Sequence, residues 1–149
     1  MKKTLTKQRD QAFMKVCMQT MIELSTPRYT PSTDVIVSAT LRKPAPSYFV
    51  DFDTAMTTIR SMLKEKPDHK PRPTLRRQLW LEIMERLRRE NGITAAGQIK
   101  RQALAIVLYR LKPSSFFLSK SYALRLYYSS PSNQKTLKSC YSQFQQKPF

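Results

Sequence analysis

The sequence predicts an all-α fold made of two tandem three-helix units followed by a basic C-terminal tail. Apolar residues recur at steps of three and four in several segments, which is the spacing of one helical face. Ten prolines separate these segments, whereas the 149 residues include only two glycines. One motif also occurs twice, so the two halves are expected to share one order of elements. The predicted organisation is 7–64 for unit one, 65–74 for a linker, 75–128 for unit two and 129–149 for the tail.

The first two helices of unit one differ in how clearly the sequence defines them. Helix one is expected over about 7–24, with Thr6 as its N-cap and Pro27 beyond its end. Helix two is expected to be capped by Asp34 or Thr33 and to end near Lys43, because the matching stretch of the second half is rich in helix-forming residues. Taken alone, VIVSATL at 35–41 has β-strand propensity. An α+β fold with a short strand there is therefore the alternative.

The third helix of unit one follows a proline-rich turn. Pro46 excludes helix continuation, and Asp51 or Asp53 is the expected N-cap of the new helix. The stretch EKPDHKPRPT, at 65–74, then contains three prolines and is predicted to be a semi-extended linker.

Unit two repeats this plan. Its first helix is expected to start after Thr74 as N-cap and to stop at Asn91-Gly92. The second helix is expected over about 98–111, and Ser119 is the expected cap of the third.

The two halves carry corresponding motifs. SYFVDFDTA begins at Ser47, and SFFLSKSYA begins 68 residues later at Ser115. The first helices also align, at an offset of 67, so that Phe13 corresponds to Trp80. An internal duplication explains two alignments at nearly one offset. The alternative is coincidence, since any two apolar helical stripes match by period.

The stretch PAPSYFVDFDTA, from Pro44, resembles the motif P-A-P-R-F-Y-V-S-x-x-x-A of a largely uncharacterised family of small basic bacterial proteins. Those proteins occur in gut anaerobes and their mobile elements. This chain has Ser47 where the motif has Arg and Asp51 where it has Ser. The resemblance implies a bacterial or phage-borne intracellular protein, and it implies no activity.

The charge of the chain indicates a polyanionic partner. Lys and Arg number 27 against 10 Asp and Glu, which gives a net charge of +17. Residues 93–149 contain nine basic and no acidic side chains, so internal ion pairs cannot neutralise this region by itself. Nucleic acid is the expected partner, because each phosphate contact releases a condensed counterion. An anionic membrane surface is the other candidate partner, and a solvated, self-repelling surface is the alternative to both.

Basic residues flank both copies of the repeated motif and the helices around it, which predicts a binding surface that contacts phosphates. The predicted nucleic-acid-binding residues are Arg42, Lys43, Arg60, Lys64, Arg76, Arg77, Lys100, Arg101, Arg110, Lys112, Lys120, Arg125 and Lys138. A trihelical unit suits a helix placed in a groove of duplex DNA, whereas tyrosines among the C-terminal cations would suit stacking on single strands.

The sequence offers little for catalysis. His69 is the only histidine and lies in the proline-rich linker, and two distant cysteines, Cys17 and Cys140, cannot complete a zinc site. Asp51 and Asp53 could hold a cation, but helix capping explains them more simply. We therefore expect no enzyme activity, no metal and no cofactor.

The predicted function is non-enzymatic nucleic-acid binding, with DNA preferred to RNA, by an accessory or regulatory protein. The alternative is an interaction protein that docks in a nucleoprotein assembly, such as a ribosome-associated or phage-particle component. No segment approaches a membrane-spanning length, and the N-terminus lacks the apolar run of a signal peptide. The expected location is cytoplasmic, either nucleoid-associated or phage-borne.

Overall fold

The computed structural model describes residues 2–66, 68 and 70–129, and the described part of the chain is helical, with two isolated β-bridges and no β-strand. The predicted all-α fold is confirmed. The six helices are α1 (Lys2–Leu24), α2 (Thr33–Leu41), α3 (Phe52–Leu63), α4 (Leu75–Arg89), α5 (Arg101–Tyr109) and α6 (Lys120–Ser129). The predicted tail, apart from Ser129, lies outside the described residues.

The alternative strand at 35–41 is wrong, because this stretch forms α2. The hydroxyl of Ser32 accepts a hydrogen bond from the backbone N–H of Val35 and so caps the helix. Ile36, Val37 and Thr40 are buried, which is the helical spacing and not the alternation of a strand. Burial of this face outweighs the β-propensity of the three branched residues at its start.

Two other predicted boundaries are also corrected. Helix α1 starts at Lys2, so Thr6 lies inside it and is not its N-cap. Helix α5 is shorter than the predicted 98–111, because Ile93 and Ile99 pair as an antiparallel bridge before it. The N–H of Thr94 donates to the carbonyl of Gln98 within that small loop, which satisfies backbone groups that a longer helix would have used.

The described chain divides into two compact units. The central unit comprises residues 46–113, and thus α3, α4 and α5, together with residues 2–6. The terminal unit comprises residues 7–45 and the described residues from 114 onward, and thus most of α1 with α2 and α6.

This division differs from the predicted units 7–64 and 75–128. The third helix of each predicted unit packs with helices of the other half: α3 packs on α4 and α5, and α6 packs on α2. A buried aromatic side chain precedes each third helix, and it also contacts the other half of the sequence. Tyr48 bonds to residues of α4, whereas the ring of Phe116 meets Phe13 of α1 edge-on at 5.2 Å.

The repeated motif adopts the same backbone conformation in both places. Phe49 and Phe117, 68 residues apart, have φ of 54° and 53°, a conformation that bulky residues seldom adopt. Each of their N–H groups donates to a serine hydroxyl two residues earlier, that of Ser47 at 3.2 Å and that of Ser115 at 3.1 Å. Helices α2 and α5 are both nine residues long and also start 68 residues apart. Coincidence of apolar stripes would not reproduce these details, so they support an internal duplication.

Candidate nucleic-acid interface

The connection between α3 and α4 in the central unit is fastened by one ion pair. Arg77 donates from both terminal nitrogens to the two carboxylate oxygens of Glu65, with N–O distances of 2.7 and 2.6 Å. Such a bidentate pair fixes direction as well as distance. At the start of α4, the Thr74 hydroxyl accepts from the backbone N–H of Arg77 at 3.1 Å, as the N-cap prediction required. The end of α3 therefore lies beside the start of α4.

Six cations lie within five residues of Glu65 or Arg77 along the chain. We call them the junction cluster: Arg60, Lys64, Lys66, Lys70, Arg72 and Arg76. All six side chains are exposed. Residues 60–77 contain seven basic and two acidic side chains, and one of the acids, Glu65, is bound to Arg77. The cluster therefore keeps a net positive charge that a polyanion could neutralise.

The positions of the cluster residues follow from local structure. Arg60 and Lys64 are one turn apart at the end of α3, where cations interact favourably with the helix dipole. The guanidinium of Arg76 lies 5.2 Å from the ring centre of the buried Trp80, which restricts its orientation. Within the described part of the chain, no ion pair involves Arg60 or Lys64.

Four further predicted residues lie in the central unit and are exposed: Lys100, Arg101, Arg110 and Lys112. Lys100 occupies the N-cap position of α5 without a side-chain capping bond. The guanidinium of Arg101 lies 5.0 Å from the ring centre of Phe52 at the start of α3. The backbone carbonyl of Lys112 accepts a hydrogen bond from Arg86, so this residue has a structural contact as well as an exposed charge.

The terminal unit holds the remaining described predictions, and two of these cations are paired with carboxylates. Lys43 lies 2.7 Å from Glu23, and Lys120 lies 2.7 Å from Asp34. Arg42, at the C-cap of α2, and Arg125, on α6, are exposed. Lys138 lies outside the described residues.

A third cation of the terminal unit is held inside a small polar network. Arg9 bonds to the carboxylate of Asp10 at 3.0 Å and to the hydroxyl of Tyr122 at 3.0 Å. Tyr122 in turn donates to the other oxygen of Asp10 at 2.8 Å. Burial and the neighbouring carboxylate raise the pKa of Tyr122, so it remains a neutral donor. These hydrogen bonds link α6 to α1.

Three members of the junction cluster were missing from the sequence prediction: Lys66, Lys70 and Arg72. Their segment was interpreted only as a spacer between units. The signal that could have identified them is the density of Lys and Arg around its prolines, since a neutral spacer needs no such charge.

The described residues contain no group of three His, Cys, Asp or Glu side chains that could hold a metal ion. Asp51 is the N-cap of α3 and accepts from the N–H of Thr54 at 3.1 Å, which confirms one of the two predicted caps. His69 lies outside the described residues. Burial raises the pKa of the Cys17 thiol to about 11, so it is a poor nucleophile at neutral pH.

None of the helices in the described residues combines the length and the apolar character that crossing a bilayer requires. No protein-family model, curated protein or solved structure matches this chain. Function is therefore inferred from the geometry and charge of the chain itself.

Proposed function

We propose that this chain is a non-enzymatic nucleic-acid-binding protein whose central unit contacts the phosphate backbone of duplex DNA. The observation that carries the proposal is the junction cluster. Six exposed cations lie within five residues of Glu65 or Arg77 along the chain, and the ion pair between these two residues places the end of α3 beside the start of α4. A nucleic acid offers phosphates at a spacing that such a cluster can match.

The cluster suits phosphates better than isolated carboxylates. Duplex DNA presents about one negative charge per 1.7 Å of its axis, so several neighbouring cations can be neutralised together. Each exposed Lys or Arg loses little hydration on contact with a phosphate, and the released counterions supply the driving free energy. Holding six like charges in one region costs stability through repulsion, which favours a role in binding over a structural role.

The second candidate is docking in a nucleoprotein assembly, and exposed apolar side chains of the central unit favour it. Leu81 on α4 is 46% exposed, and Tyr109 at the end of α5 is 65% exposed. Side chains of this kind contribute most when a protein surface covers them. A protein that binds both nucleic acid and a partner protein would use both features.

The test is a salt series on a labelled 20-base-pair duplex with the wild type and two matched double variants. Arg60→Gln with Lys64→Gln removes two cluster charges, whereas Lys15→Gln with Arg28→Gln removes two exposed charges of the terminal unit. We expect the cluster variant to lower the salt slope by about two, since each lost phosphate contact lowers it by about one. The control should retain the wild-type slope.

Two results would contradict the proposal. One is the absence of salt-dependent binding by the wild type, and the other is an equal loss of slope in both double variants. Single-stranded DNA and structured RNA of matched length serve as competitors. Tighter binding to either of them would replace duplex DNA as the ligand.

A further inference from the structure

The connection between α3 and α4 includes a short arm outside any helix or strand, Lys70-Pro-Arg-Pro-Thr74. All five residues are exposed, and none of the first four belongs to a helix or strand. Thr74 has φ −79° and ψ 160°, and its N–H donates to the carbonyl of Arg72 at 2.8 Å. This turn fixes the exit of the arm into α4.

The sequence of the arm restricts its backbone. Both basic residues, Lys70 and Arg72, directly precede a proline, and the residue before proline is confined to extended conformations. Pro71 and Pro73 fix their own φ near the same extended value. Because little backbone freedom remains to be lost, an extended ligand-bound form would cost little entropy.

The base of the arm is held as well. The Glu65–Arg77 ion pair joins the two ends of the connection, with both N–O distances below 2.8 Å. The arm therefore lies in a connection whose two ends are joined to each other. Lys64 and Arg76, adjacent to the two paired residues, are exposed on either side of its base.

We propose that this arm inserts Arg72 into the minor groove of A·T-rich DNA, an inference that rests on the proposed binding of duplex DNA. The minor groove is about 6 Å wide, so it admits an extended chain but not a helix. A·T tracts narrow it further and increase its negative potential, which attracts an inserted Arg. The 2-amino group of guanine projects into the floor of the groove and would obstruct the arm in G·C pairs.

The neighbouring cations complete the arrangement. Lys64 and Arg76, at the base of the arm, would contact the phosphates that border the groove and set its position. Phosphate contacts of this kind position a protein without reading sequence, whereas the minor groove distinguishes A·T from G·C pairs. The arm therefore adds a preference for base composition to an otherwise sequence-independent surface.

The experiment compares three duplexes of equal length: A·T, G·C and inosine·C. Inosine lacks the 2-amino group of guanine, so inosine·C keeps the major-groove pattern of G·C but clears the minor groove. We expect the full-length wild type to bind A·T and inosine·C about 10-fold more tightly than G·C. A small-molecule minor-groove ligand should displace it from A·T.

Two variants test the arm itself. Arg72→Gln should abolish the A·T preference, whereas Lys15→Gln, an equal charge change on α1, should preserve it. Pro71→Ala with Pro73→Ala keeps every charge and should weaken binding to A·T without changing the salt slope. Circular dichroism will establish that each variant retains its helices, as expected for changes in an exposed segment.

The possible outcomes separate this inference from the proposed function. Equal affinity for A·T and G·C, or inosine·C binding like G·C, would overturn the minor-groove arm while leaving phosphate binding intact. Failure to bind any of the three duplexes would overturn both proposals. A preference that survives Arg72→Gln would also overturn the arm.

Discussion

The central and terminal units differ most in how their acidic residues pair with nearby cations. In the terminal unit, Asp10, Glu23 and Asp34 each form an ion pair with a cation of the same unit. In the central unit, Glu65 pairs with Arg77 and Glu85 with Arg89, while the six cations of the junction cluster remain exposed. The two units thus distribute charge differently. We therefore expect the central unit to present its exposed cluster of cations to the proposed polyanion.

The interiors of the two units differ at equivalent positions as well. Helices α4 and α5 of the central unit bury Met84, Leu87 and Leu108. The positions that correspond to them in the terminal unit hold Cys17, Thr20 and Thr40, which are equally buried.

Both buried threonines of the terminal unit are hydrogen-bonded. Thr40 donates to the carbonyl of Ile36 at 2.7 Å and lies 3.1 Å from the hydroxyl of Thr20. Thr20 bonds to the carbonyl of Val16 at 2.8 Å. The same arrangement of helices therefore tolerates either an apolar or a hydrogen-bonded interior, provided that every buried polar group has a partner.

The largest difference is expected when one core residue of each unit is truncated at the equivalent position. Leu87→Ala should lower the free energy of unfolding by about 3–4 kcal/mol, since it removes the three buried carbon atoms beyond Cβ and leaves a cavity. Thr20→Ala should cost only about 1–2 kcal/mol, because it removes a smaller side chain, whose hydroxyl donates to the carbonyl of Val16 and accepts from Thr40. Urea unfolding followed by circular dichroism measures both. Equal losses would refute the difference in interiors.

A pH-dependent effect of intermediate size is expected for Cys17. Burial raises its pKa in the folded chain from 9 to about 11, so the folded state retains the proton more tightly. The associated stability is complete below pH 9 and is lost as the pH rises toward 11, by about 2–3 kcal/mol. In a Cys140→Ser background, Cys17→Ala should remove this part of the alkaline loss. The central unit has Met84 at the corresponding position, where there is no thiol to titrate.

Urea unfolding at pH 8, 9, 10 and 11 tests this expectation. Tyrosines and lysines titrate in the same range, so only the difference between the two chains is informative. A difference that stays constant from pH 8 to 11 would contradict the account.

The smallest effect is expected for Thr40→Val, which preserves shape but removes the hydroxyl that bonds to Ile36 and Thr20. We expect a loss of about 1 kcal/mol, the usual net contribution of one buried hydrogen bond. Stabilisation by Thr40→Val would show that the buried hydroxyl of Thr40 destabilises the terminal unit.

The sequence predicted the elements better than their packing partners. The caps Thr74 and Ser119 were predicted correctly, and Asp51 was one of two predicted alternatives, because capping depends on residues within one turn. The cap of α2 is Ser32 and not the predicted Thr33 or Asp34. The exchange of third helices was not predicted. Helical periodicity identifies a buried face but carries no information about which helix will cover it.

The candidate site was predicted in part for the same reason. Arg60, Lys64, Arg76 and Arg77 come together at the junction of α3 and α4, which are neighbours in sequence as well as in space. The pairing of Lys120 with Asp34 depends on the packing of α6 with α2, so it could not be foreseen from spacing along the chain.

The measurement that tests the central claim most directly is lysine footprinting of the full-length chain, with and without duplex DNA. An amine-reactive reagent and mass spectrometry give the modification rate of each lysine. The account predicts that DNA protects Lys64, Lys66 and Lys70 of the central unit and leaves Lys7 and Lys15 of α1 unchanged, although all five are exposed in the free protein. Protection of the α1 lysines instead, or equal protection of all five, would contradict it.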